Sequence, residues 1–438
     1  MLRSRVWIIA AAVVAVAVVP VAHPAIGAGA RASGGSALLG GLNIDGLGSN
    51  PQPSEADHSI AVASELHAKV VRVELPWATL EPSHQGETDA RALAFTDRLM
   101  ADARAAGIGV IAMVRSTPCW ATSAPAALRD RCTPGRESRA NAWAPRDPAA
   151  LGAFMAFLAT RYGSALAALE VWNEPDQSNE NYLAGPGKAR HYAAMLRAAY
   201  TAIKQANPAV TVLGGSLVGS NGAFLRALYA AGIKGYYDGF AVHFYTLTIA
   251  ALRSFRAVQV ANGDTKPLWL DEFGWSSCWP RMRIQEEQAC VTPRIQALNI
   301  TNTIRELARV PYVAAALLFK LEDSHDEEFG VLSERGRHKP SFAGLASALA
   351  RPGAAVSPVR LRLRHSHGGV VAVGTAPVGD FMELEAFQGS ALRYRAIFLL
   401  NRFNAFSLKL PRVLGQSGLQ VAVFQYGQGP SPATRARI

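Results

Sequence analysis

Short apolar runs recur along the first three quarters of the chain: Leu39–Ile44, Lys69–Trp77, Gly109–Val114, Leu169–Trp172, Val210–Gly215, Gly239–Tyr245, Pro267–Gly274 and Val313–Phe319. Runs that are apolar on both faces predict buried parallel strands. Between them lie segments whose apolar positions follow a spacing near 3.6: Ser59–His67, Asp89–Ala106 with Gly107 as a stop, Ala149–Tyr162, Lys188–Ala206, and a closing segment that ends at Ala350. These predict helices. Eight repetitions of strand and connecting segment predict an α/β fold, a (β/α)8 TIM barrel, over residues 36–350. From Val356 onward the pattern changes to short alternating runs broken by Gly and Pro: Val359–Leu363, Gly369–Val373, Phe381–Ala386, Arg393–Leu400 and Val421–Tyr426. That pattern predicts a small C-terminal β-sandwich domain over residues 355–430, with Gly427–Ile438 frayed.

Two of the apolar runs stop on a carboxylate. Leu169–Trp172 gives way to Asn173 and Glu174, and Pro175 forbids continuation of the ladder. The run from Pro267 reaches Asp271 and Glu272 just before the turn residue Gly274. The two glutamates are 98 residues apart, the length of about three strand–helix units of about 30 residues, so they fall on strands 4 and 7 and face each other across a barrel mouth. A pair of carboxyl groups so placed is a candidate acid and nucleophile.

Trp172-Asn173-Glu174-Pro175 followed by a late strand ending in Glu272-Phe273-Gly274 resembles the retaining glycoside hydrolases of clan A, most closely the families 5 and 39 type of secreted bacterial enzyme, including those acting on exopolysaccharides. The likeness runs from about Leu39 to Ala350. It implies Glu174 as acid/base and Glu272 as nucleophile, Arg72 as support for the nucleophile, and Asn173 as the partner of the sugar 2-hydroxyl. His243 and Tyr245, at the end of the sixth strand, match the positions where the clan places such residues near the nucleophile. Trp77 with Glu81 and Pro82 matches its Trp-x-x-x-Glu-Pro loop pattern, and Trp275 follows the nucleophile strand. Leu318 or Phe319 stands where relatives frequently carry the tryptophan under the reacting sugar, a departure that touches substrate fit more than chemistry. The implied partner is a carbohydrate, with neither cofactor nor metal.

The chemistry needs one carboxyl protonated and the other ionised at the same pH. Groups about 5 Å apart allow direct attack and retention, whereas a gap above about 6.5 Å admits a water and gives inversion. Arg72 and the Tyr245 hydroxyl are expected to hold Glu272 ionised. Glu174, less well paired and backed by Trp172, is expected to keep its proton.

Composition adds three things. Arg3 and Arg5, the apolar run Val6–Val19 and the small-residue tract Ala25–Ala30 read as a signal peptide over residues 1–30, with no later membrane span and an extracellular or cell-envelope location. In an exported chain four cysteines read as two disulfides. Of three possible pairings, Cys119 with Cys132 and Cys278 with Cys290 close the short loops. Finally, of the net charge of +11, most lies from residue 351 onward, where eleven basic side chains meet Asp380, Glu383 and Glu385. A basic appendage suits an anionic glycan or envelope surface. No nucleic-acid recognition motif accompanies the charge. The chain is expected to act as a monomer. Two alternatives share these features: a catalytically silent glycan-binding barrel, and a transglycosylase remodelling exported polysaccharide.

Overall fold

A computed structural model describes residues 38–44, 52–245, 248–280, 290–325, 327–366, 369–378, 381–412, 414, 418–425 and 434–437. The signal segment expected over residues 1–30 lies outside the described residues. Eight parallel strands close into a barrel: β1 (Leu39–Asn43), β2 (Val70–Pro76), β3 (Gly109–Arg115), β4 (Leu166–Val171), β5 (Val212–Leu217), β6 (Gly239–His243), β7 (Leu268–Phe273) and β8 (Val313–Leu318). A helix follows each: α1 (Pro53–Glu65), α2 (Ala90–Ala105), α3 (Pro148–Tyr162), α4 (Lys188–Ala206), α5 (Ala223–Ala230), α6 (Thr248–Ala261), α7 (Pro293–Leu307) and α8 (Pro340–Ala350).

Local sequence sets several helix starts. Asp89 accepts hydrogen bonds from the backbone of Arg91 and Ala92 at the head of α2. Asp147 and Thr292 do the same for α3 and α7, each followed by a proline at the first helical position. Gly107 ends the α2 connection at a φ of 68°, a conformation that costs a glycine little.

The barrel interior is layered. Val70, Ile111, Ala168, Leu213, Ala241, Trp269, Ala315 and Leu317 form an apolar plug. Two residues further along four of these strands come Arg72, Glu170, His243 and Asp271, all buried. Alternation along each strand brings them inward. Beyond this polar layer the strand ends form the mouth.

The accessory domain consists of β9 (Arg360–Ser366), β10 (Gly369–Thr375), β11 (Phe381–Gln388), β12 (Ala391–Leu399), β13 (Ala405–Lys409), β14 (Leu419–Gln425) and β15 (Thr434–Arg437). These strands form two antiparallel sheets, ordered β13-β10-β9 and β12-β11-β14-β15, around a separate apolar core that includes Ala372, Leu384 and Val421. The domain docks on α7, where the Asn404 amide donates to Asn299 at 2.6 Å and the Asn302 amide to the Pro377 carbonyl at 3.1 Å.

Two sequence expectations need correction. Thr434–Arg437, expected to fray, pairs with β14 from Gln420 to Val423, because Arg435 and Arg437 face outward while Thr434 and Ala436 are partly covered. The fifth strand begins at Val212 and runs on to Leu217, past the glycine pair expected to end it.

Barrel closure also depends on a missing side chain. A Cβ at Gly41 would stand 1.8 Å from the Val70 carbonyl oxygen, inside the β1–β2 pairing. Gly41→Ala is expected to destabilise the fold by about 1–3 kcal/mol, read as a lowered urea midpoint at unchanged slope.

Candidate active site

The mouth of the barrel is organised by one guanidinium. Arg72 leaves β2 next to Asn43 of β1. Its Nε and Nη2 donate to the two oxygens of Glu170 at 2.7 and 2.9 Å, a paired fork. Its Nη1 donates to Glu272 Oε1 at 2.7 Å and to Asn43 Oδ1 at 3.0 Å, and its Nη2 to Asn173 Oδ1 at 2.8 Å. Burial works against the arginine's charge, but Glu170, Asp271 and Glu272 outweigh it and push its pKa well up.

Glu174 follows β4 and Glu272 lies on β7. His243, at the end of β6, stands between them, with Nδ1 at 2.8 Å from Glu174 Oε1 and 3.4 Å from Glu272 Oε2. The atoms offered by Glu174, His243 and Glu272 all lie within 4.8 Å of one another. The Tyr245 hydroxyl donates to Glu272 Oε2 at 2.6 Å. The nucleophile candidate thus has a charged donor on one oxygen and a neutral donor on the other.

A β-bulge explains how two consecutive acids both reach the interior. The register between β6 and β7 steps from Val242 and Leu270 to His243 and Glu272, leaving Asp271 as the extra residue. Asp271 sits behind the site, 3.4 Å from both Arg72 Nε and His243 Nε2. Exposure separates the four carboxylates. The side chains of Glu174 and Glu272 keep 8% and 9% of their surface, while Glu170 and Asp271 keep none. Only the first pair can touch a substrate.

The electrostatics follow. Burial pushes the Asp271 carboxyl well above the usual carboxylate range, and the neighbouring Glu170 adds to this. For Glu170 burial acts in the same direction, but the Arg72 charge and hydrogen bonds outweigh it and hold the group low. For His243 burial opposes the charged ring, while Glu272, Asp271 and Glu174 raise it to about 9. At neutral pH the polar layer therefore holds two cations, Arg72 and His243, among the carboxylates.

Most of the residues expected from sequence do come together: Arg72, Asn173, Glu174, His243, Tyr245 and Glu272. Phe319 closes one side, at 6.0 Å from Tyr245 and 5.9 Å from Phe329 between ring centroids. The two tryptophans do not join them. Trp77 is fully buried, stacked on Phe154 at 5.9 Å, with its indole N–H donating to Glu81 at 2.7 Å. Trp275 is buried edge-on against Phe273. Both brace the loops from inside, because their rings fill space between strand ends and helices. Glu174 has partners of its own, since His243 and the Gln177 amide each reach one of its oxygens.

Four contributors went unforeseen. Glu170 and Asp271 are masked inside apolar runs, although an acid inside a run otherwise fit for burial is itself a signal. Gln177 sits three residues after Glu174 on the β4–α4 loop. Tyr182, on the same loop, has its hydroxyl pushed up to about 12 by burial and by the charges of Glu174 and Glu272. The cysteines pair as favoured, Cys119 with Cys132 and Cys278 with Cys290.

A closed parallel barrel with two convergent acids at its carboxyl-terminal mouth is the architecture of a barrel glycosidase. Residues 147–336, which carry both glutamates, match the family model described as the glycosyl hydrolase catalytic core. That match, which runs from α3 to the segment before α8, supports a glycosidase. The fold of this chain is similar to that of a family 39 glycoside hydrolase from Bacteroides cellulosilyticus WH2, at 16% identity over 85% of this chain and 81% of that one, with a TM-score of 0.55. A family 39 β-xylosidase from Caulobacter crescentus is similar at 17% identity, 81% and 84% coverage and a TM-score of 0.54. A family 39 enzyme from Xanthomonas axonopodis pv. citri is similar at 14% identity, 91% and 94% coverage and 0.52. No curated protein matches the sequence.

The two hidden acids are expected to respond oppositely to neutralisation. Asp271 has a raised pKa, so its ionisation costs stability progressively as pH climbs above the unfolded value. Asp271→Asn should therefore raise the melting temperature, more at pH 8 than at pH 5. Glu170 has a lowered pKa and contributes stability above its unfolded value. Glu170→Gln strands Arg72 and should cost about 3–5 kcal/mol near neutral pH, measured by chemical denaturation.

Proposed function

We propose that the chain hydrolyses O-glycosidic bonds with retention at the anomeric carbon, with Glu272 as nucleophile and Glu174 as acid/base. The observation that carries this reading is the close approach of Glu174, His243 and Glu272, whose offered atoms span no more than 4.8 Å. That proximity favours the retaining arrangement, with carboxyls about 5 Å apart, over the wider gap of about 6.5 Å or more of an inverting site.

In the first step a Glu272 oxygen bonds to the anomeric carbon, the bond to the leaving oxygen breaks, and that oxygen takes a proton from Glu174. In the second, Glu174 accepts a proton from water, whose oxygen attacks the same carbon and releases Glu272. Arg72 and Tyr245, at 2.7 and 2.6 Å from the two Glu272 oxygens, stabilise the carboxylate that begins and ends the cycle and hold it in one orientation. His243, with Nδ1 at 2.8 Å from Glu174 Oε1, holds the acid in one orientation. Asn173, fixed by Arg72, is placed beside the acid to meet the sugar's 2-hydroxyl. Phe319 with Phe329 and Tyr245 offers an apolar wall to one face of the reacting ring.

The substrate is an oligosaccharide or polysaccharide outside the cytoplasm. The arginine-flanked apolar amino-terminal run supports export, as do two disulfides, which persist in oxidising compartments.

Glu272→Gln is expected to lower kcat by about 10³-fold or more on every substrate. Glu174→Gln should cost comparably with an alcohol leaving group and much less with a nitrophenyl one, which departs without a proton. Proton NMR of the first-formed product should show the substrate's own anomeric configuration. An inverted product, or turnover unaffected by Glu272→Gln, overturns the assignment.

A further inference from the structure

The outer face of the three-stranded sheet of the accessory domain carries an ordered set of cations. Pairing aligns Arg364, Val371 and Lys409 in one row across β9, β10 and β13. Arg362, Val373 and Ser407 form the next row, and Arg360, Thr375 and Ala405 the third. The alternate positions Leu361, Leu363, Ala372, Phe406 and Leu408 turn inward to the domain's core. Arg360, Arg362, Arg364 and Lys409 are exposed, and β9, β10 and β13 contain no Asp or Glu. The other sheet mixes the two signs, since Arg395 reaches Glu383 and Glu385. β15 runs beside β9, where the Thr434 hydroxyl donates to the Val359 carbonyl at 3.1 Å.

We propose that this face docks an anionic, carboxylate-bearing polysaccharide and so holds the glycosidase on a matrix, independently of the barrel mouth. Alternate residues on a strand are about 7 Å apart, and β13 lies about 10 Å from β9. Three guanidiniums in line with a lysine to the side thus form a straight, flat track suited to an extended polymer. Guanidiniums engage carboxylates as forks, which favours this partner over a point-charge match. Val371, Val373, Ser407 and Thr375 between the cations are short, so a chain of sugars can lie close to the sheet. The exposed large apolar side chains Leu392, Ile397, Leu399 and Phe403 lie elsewhere, on β12 and the loop after it. The face therefore offers no anchor for a lipid surface. This docking role rests on the glycosidase reading only for its purpose, not for its chemistry.

The test is a titration of fluorescein-labelled polygalacturonate with the full chain, followed by anisotropy, with labelled dextran as the neutral control. The wild type should bind polygalacturonate and not dextran, with affinity falling as salt is raised. The triple variant Arg360→Ser, Arg362→Ser, Arg364→Ser should bind about tenfold more weakly while keeping wild-type turnover of a small nitrophenyl glycoside, which also shows that it folds. Glu272→Gln should bind like wild type, which separates failure of docking from failure of the catalytic assignment. A matched triple variant, Arg91→Ser, Arg104→Ser, Arg226→Ser, removes the same charge elsewhere and should bind nearly as well as wild type. The proposal is overturned if the two triple variants lose affinity equally or the β9 variant loses none. It also fails if vesicles of phosphatidylglycerol and phosphatidylcholine capture the chain while polygalacturonate does not.

Discussion

A buried positive charge must find its counter-charges inside the protein, and Arg72 meets that requirement in a way that fixes the site. Its donors are shared among Asn43 of β1, Glu170 of β4, Asn173 just beyond β4 and Glu272 of β7. Moving any of these strands relative to the others would leave part of the guanidinium or a carboxylate uncompensated, at a cost of several kcal/mol. Glu272 is therefore held by the same interaction that makes the polar layer tolerable at all. Stability and positioning share one device here.

The strand ends around that layer depart from regular geometry. Ser116 after β3, Trp172 and Glu174 after β4, and Ser216 within β5 all have positive φ, between 42° and 75°. For side chains of these sizes that backbone is unfavourable, and such positions cluster where function fixes the chain. The fixing contacts are visible. The Trp172 indole donates to the Tyr182 carbonyl at 2.8 Å, and the Ser216 hydroxyl reaches Glu170. Bulges at Ser216 and Asp271 add a residue to each of β5 and β7 at the level of the polar layer. Regular strands below and irregular ends above divide the barrel into a scaffold and a site.

This division explains how much was legible in the sequence. The scaffold obeys periodicity, so the eight strands and the acids that terminate two of them are readable directly. A bulge has no sequence period, and nothing in Leu268–Phe273 announces that Asp271 and Glu272 both turn inward. Glu170 escaped notice for the opposite reason. It is an ordinary inward position in a regular strand, and its neighbours made the run read as apolar. Trp77 was placed by a loop pattern and Trp275 by its position after the nucleophile strand, and in this chain both rings went to packing. Helices α5, α6 and α7 went unnoticed, as did β13, whose five residues carry too little alternation to register.

The accessory domain touches the barrel beside the strand that matters most. Arg402, between β12 and β13, lies over the Trp279 ring at 3.9 Å, and Trp279 is next to Cys278 on the loop that leaves β7. Asn404 and Asn299 meet on α7, the helix that follows the same loop. The described ends of the β7–α7 connection are thus held, by the disulfide between Cys278 and Cys290 and by the contact of Trp279 with the appended domain. A chain shortened after α8 would strip a cation from an indole and bare two helical asparagines, so the catalytic unit of this protein extends beyond the barrel that contains its acids.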